Sequence, residues 1–174
     1  MSGTSTKMLQ AAAGASGEEP ATVAYVVSFD ADSITSIDIS DPNSLTELDS
    51  LSNANLDGPR SVALDLTNQV AYVASDDSSR ITSIDISNPN SLTELDSLSG
   101  ANLNAVEGIA LDLINEVAYV AASNADSITS IDISDPNSLT ELDSLSSANL
   151  SFARGIAINS PGPASTNAYP APEE

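Results

Sequence analysis

Residues 34–56 read ITSIDISDPNSLTELDSLSNANL, and the stretch returns at 81–103 and 128–150 with changes only at the positions of Asp41 and Asn53. The motif VAYV keeps the same spacing, beginning at Val23, Val70 and Val117, so the period is 47 residues without insertions. No other feature restricts the fold as much. A fixed period of this length makes each unit one supersecondary module that buries its apolar face against its neighbours. Ile, Val, Thr and Ser dominate the periodic segments and no 3.6-residue rhythm runs through them, which sets helical repeats aside.

Each unit reads as four short strands. VAYVVS places β-branched residues around a tyrosine, ITSIDIS is rich in Ile and Thr, LTELDSLS alternates imperfectly from Leu45 to Leu51, and SVALDL follows a polar loop. The separators are turn chemistry, with Pro42, Pro89 and Pro136 where a missing N–H does no harm. Four strands per unit of this length predict an all-β fold, a β-propeller of three 47-residue blades over residues 22–160. The order along the chain is three strands, two complete blades, then the orphan strand RGIAINS at 154–160. That orphan is expected to complete a first blade and so remove a free sheet edge.

The pattern VAYVA…ITSIDISDPNSLTELDSL resembles the blade motif of LVIVD-repeat propellers, departing from it at Ser36, Ser83 and Ser130 and at Asn43, Asn90 and Asn137. The resemblance implies a scaffold and no particular chemistry. Closed propellers use about four to eight blades, so three are too few for one ring. The expectation is a ring closed by oligomerisation: a homodimer of six blades, with a nine-bladed homotrimer as the runner-up. Tyr25, Tyr72 and Tyr119 are read as packing residues between blades.

The chain has 174 residues, 25 acidic side chains, four basic ones, no histidine and no cysteine, for a net charge of −21. Such a surface repels phosphate backbones and anionic lipid, which excludes nucleic acid and membrane insertion as partners. Without His or Cys the usual triads and most zinc sites are impossible. The acids Asp38, Glu47 and Asp49 repeat identically in every unit, whereas a catalytic pair needs two different environments. On those grounds no enzyme activity is expected.

The units disagree in two loops: VSFDADS, ASDDSSR and AASNADS after VAYV, and DGPRS, NAVEG and SFARG before the SVALDL strand. In a propeller both loops lie on one face, the candidate binding face. Arg60 and Arg154 occupy equivalent positions there, Glu107 holds that position in the middle unit, and Arg80 lies in the other loop. A mouth carrying Arg, Glu, Arg twice over suits inter-blade ion pairs, or a polar rim for a glycan or small anion. Asp30, Asp32, Asp76, Asp77 and Asp126 raise the question of calcium, which takes six to eight oxygens, but solvated loop acids are the plainer reading and no cofactor is expected.

The segment MSGTSTKMLQAAAGASG stands outside the repeat and resembles the N-terminal segments of virion proteins of marine tailed phages. The resemblance implies an arm over 1–21 that attaches the subunit to other virion proteins; the strand directions are expected to bring the Pro-rich tail at 161–174 out on the same side as the arm, away from the variable face. The expected protein is therefore a non-enzymatic subunit of a tail or capsid decoration, adhesive through its variable face and located on a virion or outside the cell. The alternative is a soluble, cytoplasmic protein-binding scaffold of a marine or halophilic microbe.

Overall fold

The structure is a computed structural model that describes residues 22–159; the proposed arm at 1–21 and tail at 161–174 lie outside the described residues. The first unit forms β1 (Val23–Ser28), β2 (Ser33–Asp38) and β3 (Thr46–Ser52), a three-stranded sheet in that order. The second forms β4 (Pro59–Asp65), β5 (Val70–Ser75), β6 (Arg80–Asp85) and β7 (Thr93–Ser99), and the third forms β8 (Val106–Asp112), β9 (Val117–Ala122), β10 (Ser127–Asp132) and β11 (Thr140–Ser146). Both are four-stranded in chain order, and every pairing in the three sheets is antiparallel. The fold is all-β and propeller-like. Among the described residues the helical segments are single 3-10 turns at Ala54–Leu56, Ala101–Leu103 and Ala148–Leu150.

The first sheet lacks the innermost strand that β4 and β8 supply to the others. Residues 154–159, the described part of the expected closing strand, belong to no sheet. They lie against β8, and a side chain on Gly108 would collide with the backbone carbonyl of Arg154. Glycine is thus required where the two segments approach.

The imperfect alternation of LTELDSLS is a β-bulge. Ser36 faces Asp49 but Ile37 faces Glu47, so Leu48 is the extra residue, and the same shift recurs in the other two sheets. The turns are fixed by aspartate. Asp38, Asp85 and Asp132 each accept the amide two residues on, at 2.9, 2.8 and 2.9 Å. Asp65 and Asp112 brace the other turn through the amides of Thr67 and Ile114.

The core is the space between sheets. One cluster joins the first sheet to the second through Ile34, Leu56, Val73, Ile84 and Leu92; the other joins the second to the third through Tyr72, Ile81, Leu103, Val120, Ile131 and Leu139. The second sheet therefore has a near face that meets the first sheet and a far face that meets the third, and the same two faces can be named on every sheet. Polar groups cross both junctions at the 47-residue period. Ser36 donates to the carbonyl of Pro89 at 2.5 Å, and Ser83 to that of Pro136 at 2.6 Å. Of the serines that depart from an apolar consensus, Ser36 and Ser83 are therefore bonded bridges between sheets, while Ser130 donates within its own sheet to Asp143 O at 3.3 Å. Asp49 accepts the Leu92 amide and Asp96 the Leu139 amide, each at 2.7 Å. The tyrosine hydroxyls make weaker, longer bonds, Tyr25 to Ile86 O at 3.4 Å and Tyr72 to Ile133 O at 3.5 Å. Burial pushes the Tyr72 phenol up to about 12.

Candidate functional site

The two loops in which the units differ meet at one end of the sheets. Gly58, at φ 63°, is in the left-handed region, and a Cβ there would strike the Phe29 ring and the Asp77 carboxylate. The Gly58 amide donates to Asp32 at 3.0 Å, and the Phe152 amide donates to Asp126 at 3.2 Å. Asp32 and Asp126 are thereby committed to holding equivalent inter-sheet turns in shape. Among the described residues no group of carboxylates is arranged to hold a metal ion.

The inner strands begin at this end. Arg60, on β4, pairs through Nε with Asp76 Oδ2 at 2.6 Å and stacks on the Phe29 ring, its guanidinium carbon 4.5 Å from the centroid. One 47-residue step on, Glu107 of β8 faces Arg154 of the following segment, Nε to Oε1 at 3.6 Å. The Arg60 charge is stabilised first by its hydrogen bond to Asp76, with further support from the fields of Glu107 and Asp77. Asp76 of the loop after β5, Arg60 of β4, Glu107 of β8 and Arg154 of the segment that follows therefore form a band of alternating charge at this end of the sheets. Arg154 remains 70 % exposed while Glu107 is 11 % exposed, so the arginine is the available partner of that pair.

Asp57 was not among the sequence candidates. Its carboxyl is raised above the ordinary range by desolvation in the crowded loop, then by the negative charges of Asp32 and Asp77 and a hydrogen bond with Asp32. Its signal in the sequence was that it opens the divergent loop DGPRS, with Asn104 and Ser151 at the equivalent positions. Phe29, which supports Arg60, lies in the other divergent loop. Arg80 does not join the band: its Nη1 reaches Ser97 of β7 at 3.3 Å, toward the outer edge of its sheet. Asp30 is exposed, and Asp77 sits beside Gly58. At the opposite end an open hollow of about 180 Å³ lies among Asp65, Thr67, Asn68, Leu113, Glu116 and Ile133.

The acids that repeat in every unit are structural. Glu94 accepts from Asn53 and Asn55, both at 2.7 Å, and Glu141 from Asn102 at 2.6 Å. Asp49 and Asp96 hold the inter-sheet amides described above.

Comparison with known proteins adds a family. The family model described as "Lactonase, 7-bladed beta-propeller" matches residues 17–164. No curated protein matches the sequence. Among solved structures, the periplasmic gluconolactonase of Pseudomonas aeruginosa is similar at 17 % identity with a TM-score of 0.59, covering 71 % of this chain and 36 % of that one. A putative 6-phosphogluconolactonase of Bacteroides fragilis gives 13 % identity and a TM-score of 0.59 over the same shares. A protein of unknown function from Desulfotomaculum acetoxidans gives 15 % and 0.57, over 67 % of this chain and 36 % of that one. At these identities the likeness establishes the fold, and the chain spans little more than a third of the length of each.

The family match overturns the expectation of a non-enzymatic subunit, whether virion decoration, adhesin or binding scaffold. It also replaces the LVIVD-repeat resemblance, leaving the propeller as the part that stands. The error has a physical source. The uniform acids Asp38, Glu47 and Asp49 were weighed as the catalytic candidates, and they are turn and junction residues. The acids with distinct environments, Asp57, Asp76 and Glu107, have no acidic counterpart in the other units, and ester hydrolysis needs neither His nor Cys.

Proposed function

The chain belongs to the family of seven-bladed β-propeller lactonases, and from that premise we propose that it is a subunit of a hydrolase that opens lactone rings at the end bearing Asp57, Arg60, Asp76, Glu107 and Arg154. The family match over residues 17–164 carries the reading. The chemistry of the loop end supports it. A lactone is opened when water adds to its carbonyl carbon, an oxyanion forms, and the ring C–O bond breaks to give a hydroxy acid. The reaction calls for a group that takes a proton from water and returns it to the leaving alkoxide. Asp57, whose proton affinity is raised, suits that role. It also calls for positive charge near the oxyanion and the product carboxylate. Arg60 is engaged by Asp76 through Nε, and its terminal nitrogens suit an oxyanion, as does the exposed Arg154.

Three sheets per chain are read as three blades, with the ring completed by further copies. The matched family is described as seven-bladed, a number that copies of three cannot sum to; two copies bring six, the nearest multiple, and three bring nine. The homodimer is therefore preferred, with the homotrimer next. In such a ring the band of alternating charge from each copy lines the same mouth.

The test is hydrolysis of a panel of γ- and δ-lactones, glucono-δ-lactone among them, followed by acid release at constant pH. The expected result is a rate proportional to protein and above spontaneous opening. The double variant Arg60→Ala/Arg154→Ala should reduce it by about a hundredfold. Folded protein that never exceeds the spontaneous rate on any member of the panel overturns the reading.

A further inference from the structure

The two ends of the chain carry the halves of one junction. At both internal junctions the same four hydrogen bonds recur 47 residues apart. They run from a tyrosine hydroxyl to a carbonyl, a serine hydroxyl to a proline carbonyl, a leucine amide to an aspartate, and an asparagine amide to a glutamate. Advancing the far-face partners by one period gives Tyr119, Ser130, Asp143 and Asn149 on the far side of the third sheet. Stepping the near-face partners back gives Ile39, Pro42, Leu45 and Glu47 on the near side of the first.

Burial tells the same story. Leu92 and Leu139 are 5 % exposed, whereas Leu45, the equivalent residue of the first sheet, is 63 % exposed. Val73 and Val120 are fully buried and Val26 is 47 % exposed. On the opposite side, Leu145 is 62 % exposed where Leu51 and Leu98 pack against the core clusters. An open hollow of about 160 Å³ lies among Tyr119, Ile128, Ser130, Asp143, Ser144 and Leu145. At the internal junctions the corresponding side chains meet Ile86, Pro89 and Leu92, or Ile133, Pro136 and Leu139, of the next sheet.

We propose that the far face of the third sheet docks on the near face of the first sheet of a second copy, head to tail, and that residues 155–159 of the first copy add to the free edge of β1 in the second. The register follows from the period. Val62 faces Val73 and Ile109 faces Val120, so Ile156 faces Val26 of the second copy; likewise Ala157 faces Tyr25 and Ile158 faces Ala24. The junction then consists of Tyr119 to Ile39 O, Ser130 to Pro42 O, the Leu45 amide to Asp143, and Asn149 to Glu47. This interface is heterologous, with different surfaces on the two partners, and a closed ring satisfies both ends of every chain. The inference rests on the three-blade reading and is independent of the lactone reaction.

Because the chain has no cysteine, paired cysteines report the register directly. The variant Val26→Cys/Ile156→Cys is oxidised at high salt, where the charge of −21 per chain repels least. The expected product is a ring of covalently joined chains, with a native mass of twice the single-chain 17.7 kDa before oxidation. A closed three-chain ring also supports the docking while overturning the two-copy count. A disulfide closed within one chain overturns the proposal, and so does a folded protein of single-chain mass that forms no disulfide. As a second variant, Leu45→Asp should give a folded single chain with an unchanged circular dichroism spectrum. Retention of the assembled mass by Leu45→Asp overturns it as well. Lactone turnover measured on the same samples separates a failed interface from a failed activity.

Discussion

The middle sheet and the two end sheets are built from nearly the same letters and live in different surroundings. In the middle sheet β5 is buried at every residue, and Tyr72 is 1 % exposed. The equivalent tyrosines of β1 and β9 are only half-buried. The segment TELDSLS is partly covered through β7 and open at all but one residue of β11. Identical strands therefore contribute differently to stability, because burial in a propeller belongs to the junction between two sheets and not to either sheet. A repeat of this kind behaves as a sum of units and nearest-neighbour interfaces.

The largest contrast between the sheets lies at the tyrosines. Tyr72→Ala removes a fully buried ring from the core between the second and third sheets and should cost about 3–5 kcal/mol in urea unfolding. Tyr119→Ala should cost markedly less when the protein is dilute and approach the Tyr72 value as concentration rises, if a second copy covers that face. Equal costs at every concentration would mean that the third sheet is already covered within one chain.

The inter-sheet aspartates give the next largest contrast. Asp96→Ala leaves the Leu139 amide without its partner beneath a side chain that is 5 % exposed, at a cost of about 1–3 kcal/mol. Asp143→Ala removes the equivalent group from an open face and should leave the unfolding of the single chain unchanged. The same cost for both substitutions would place Asp143 in a junction that the single chain does not contain.

A smaller effect runs the other way. Ser75 is fully buried and its hydroxyl has no hydrogen-bond partner, while Ala122 holds the equivalent position in the third sheet, also fully buried. Ser75→Ala should stabilise the protein by about 1 kcal/mol, read as a rise in the thermal midpoint. A loss of stability would show that the serine makes a bond through ordered water.

Much of this was legible in the sequence. The period fixed the strands to within a residue or two, since β1, β5 and β9 start at the three VAYV motifs. The order of three strands, two full sheets and an unpaired segment was also visible. What escaped was chemistry that depends on a neighbour one period away. Ser36 reads as a flaw in an apolar pattern until Pro89 is placed beside it. Leu56 reads as part of a polar loop until the 3-10 turn buries it completely. At the loop end, the spacing of Arg60, Glu107 and Arg154 put the charged band on the page, but the outward reach of Arg80 depends on Ser97 of a strand that the loop itself does not name. The acids that repeat are the most visible ones in the sequence, and their repetition is the mark of a junction and not of a catalytic site.

Asp57 tests that last point. It has no acidic counterpart in the other units, and desolvation in the loop, then the like charges of Asp32 and Asp77, disfavour its ionised form. Its proton affinity is higher in the folded chain than in the unfolded one. The stability it contributes is therefore present in acid, below the unfolded value, and is lost as pH rises through the folded value. At neutral pH the ionised group works against the fold. Asp57→Asn should then raise the thermal midpoint slightly at pH 7 and leave it unchanged at about pH 3, where both states of the native chain hold the proton. If Asp57 is also the group that takes a proton from water, the same variant should lose lactone turnover while gaining stability. That opposition is the signature of a site whose strain serves its chemistry. A variant that gains stability and keeps full turnover would assign the raised affinity to crowding in the loop alone and move the search for the base to Glu107.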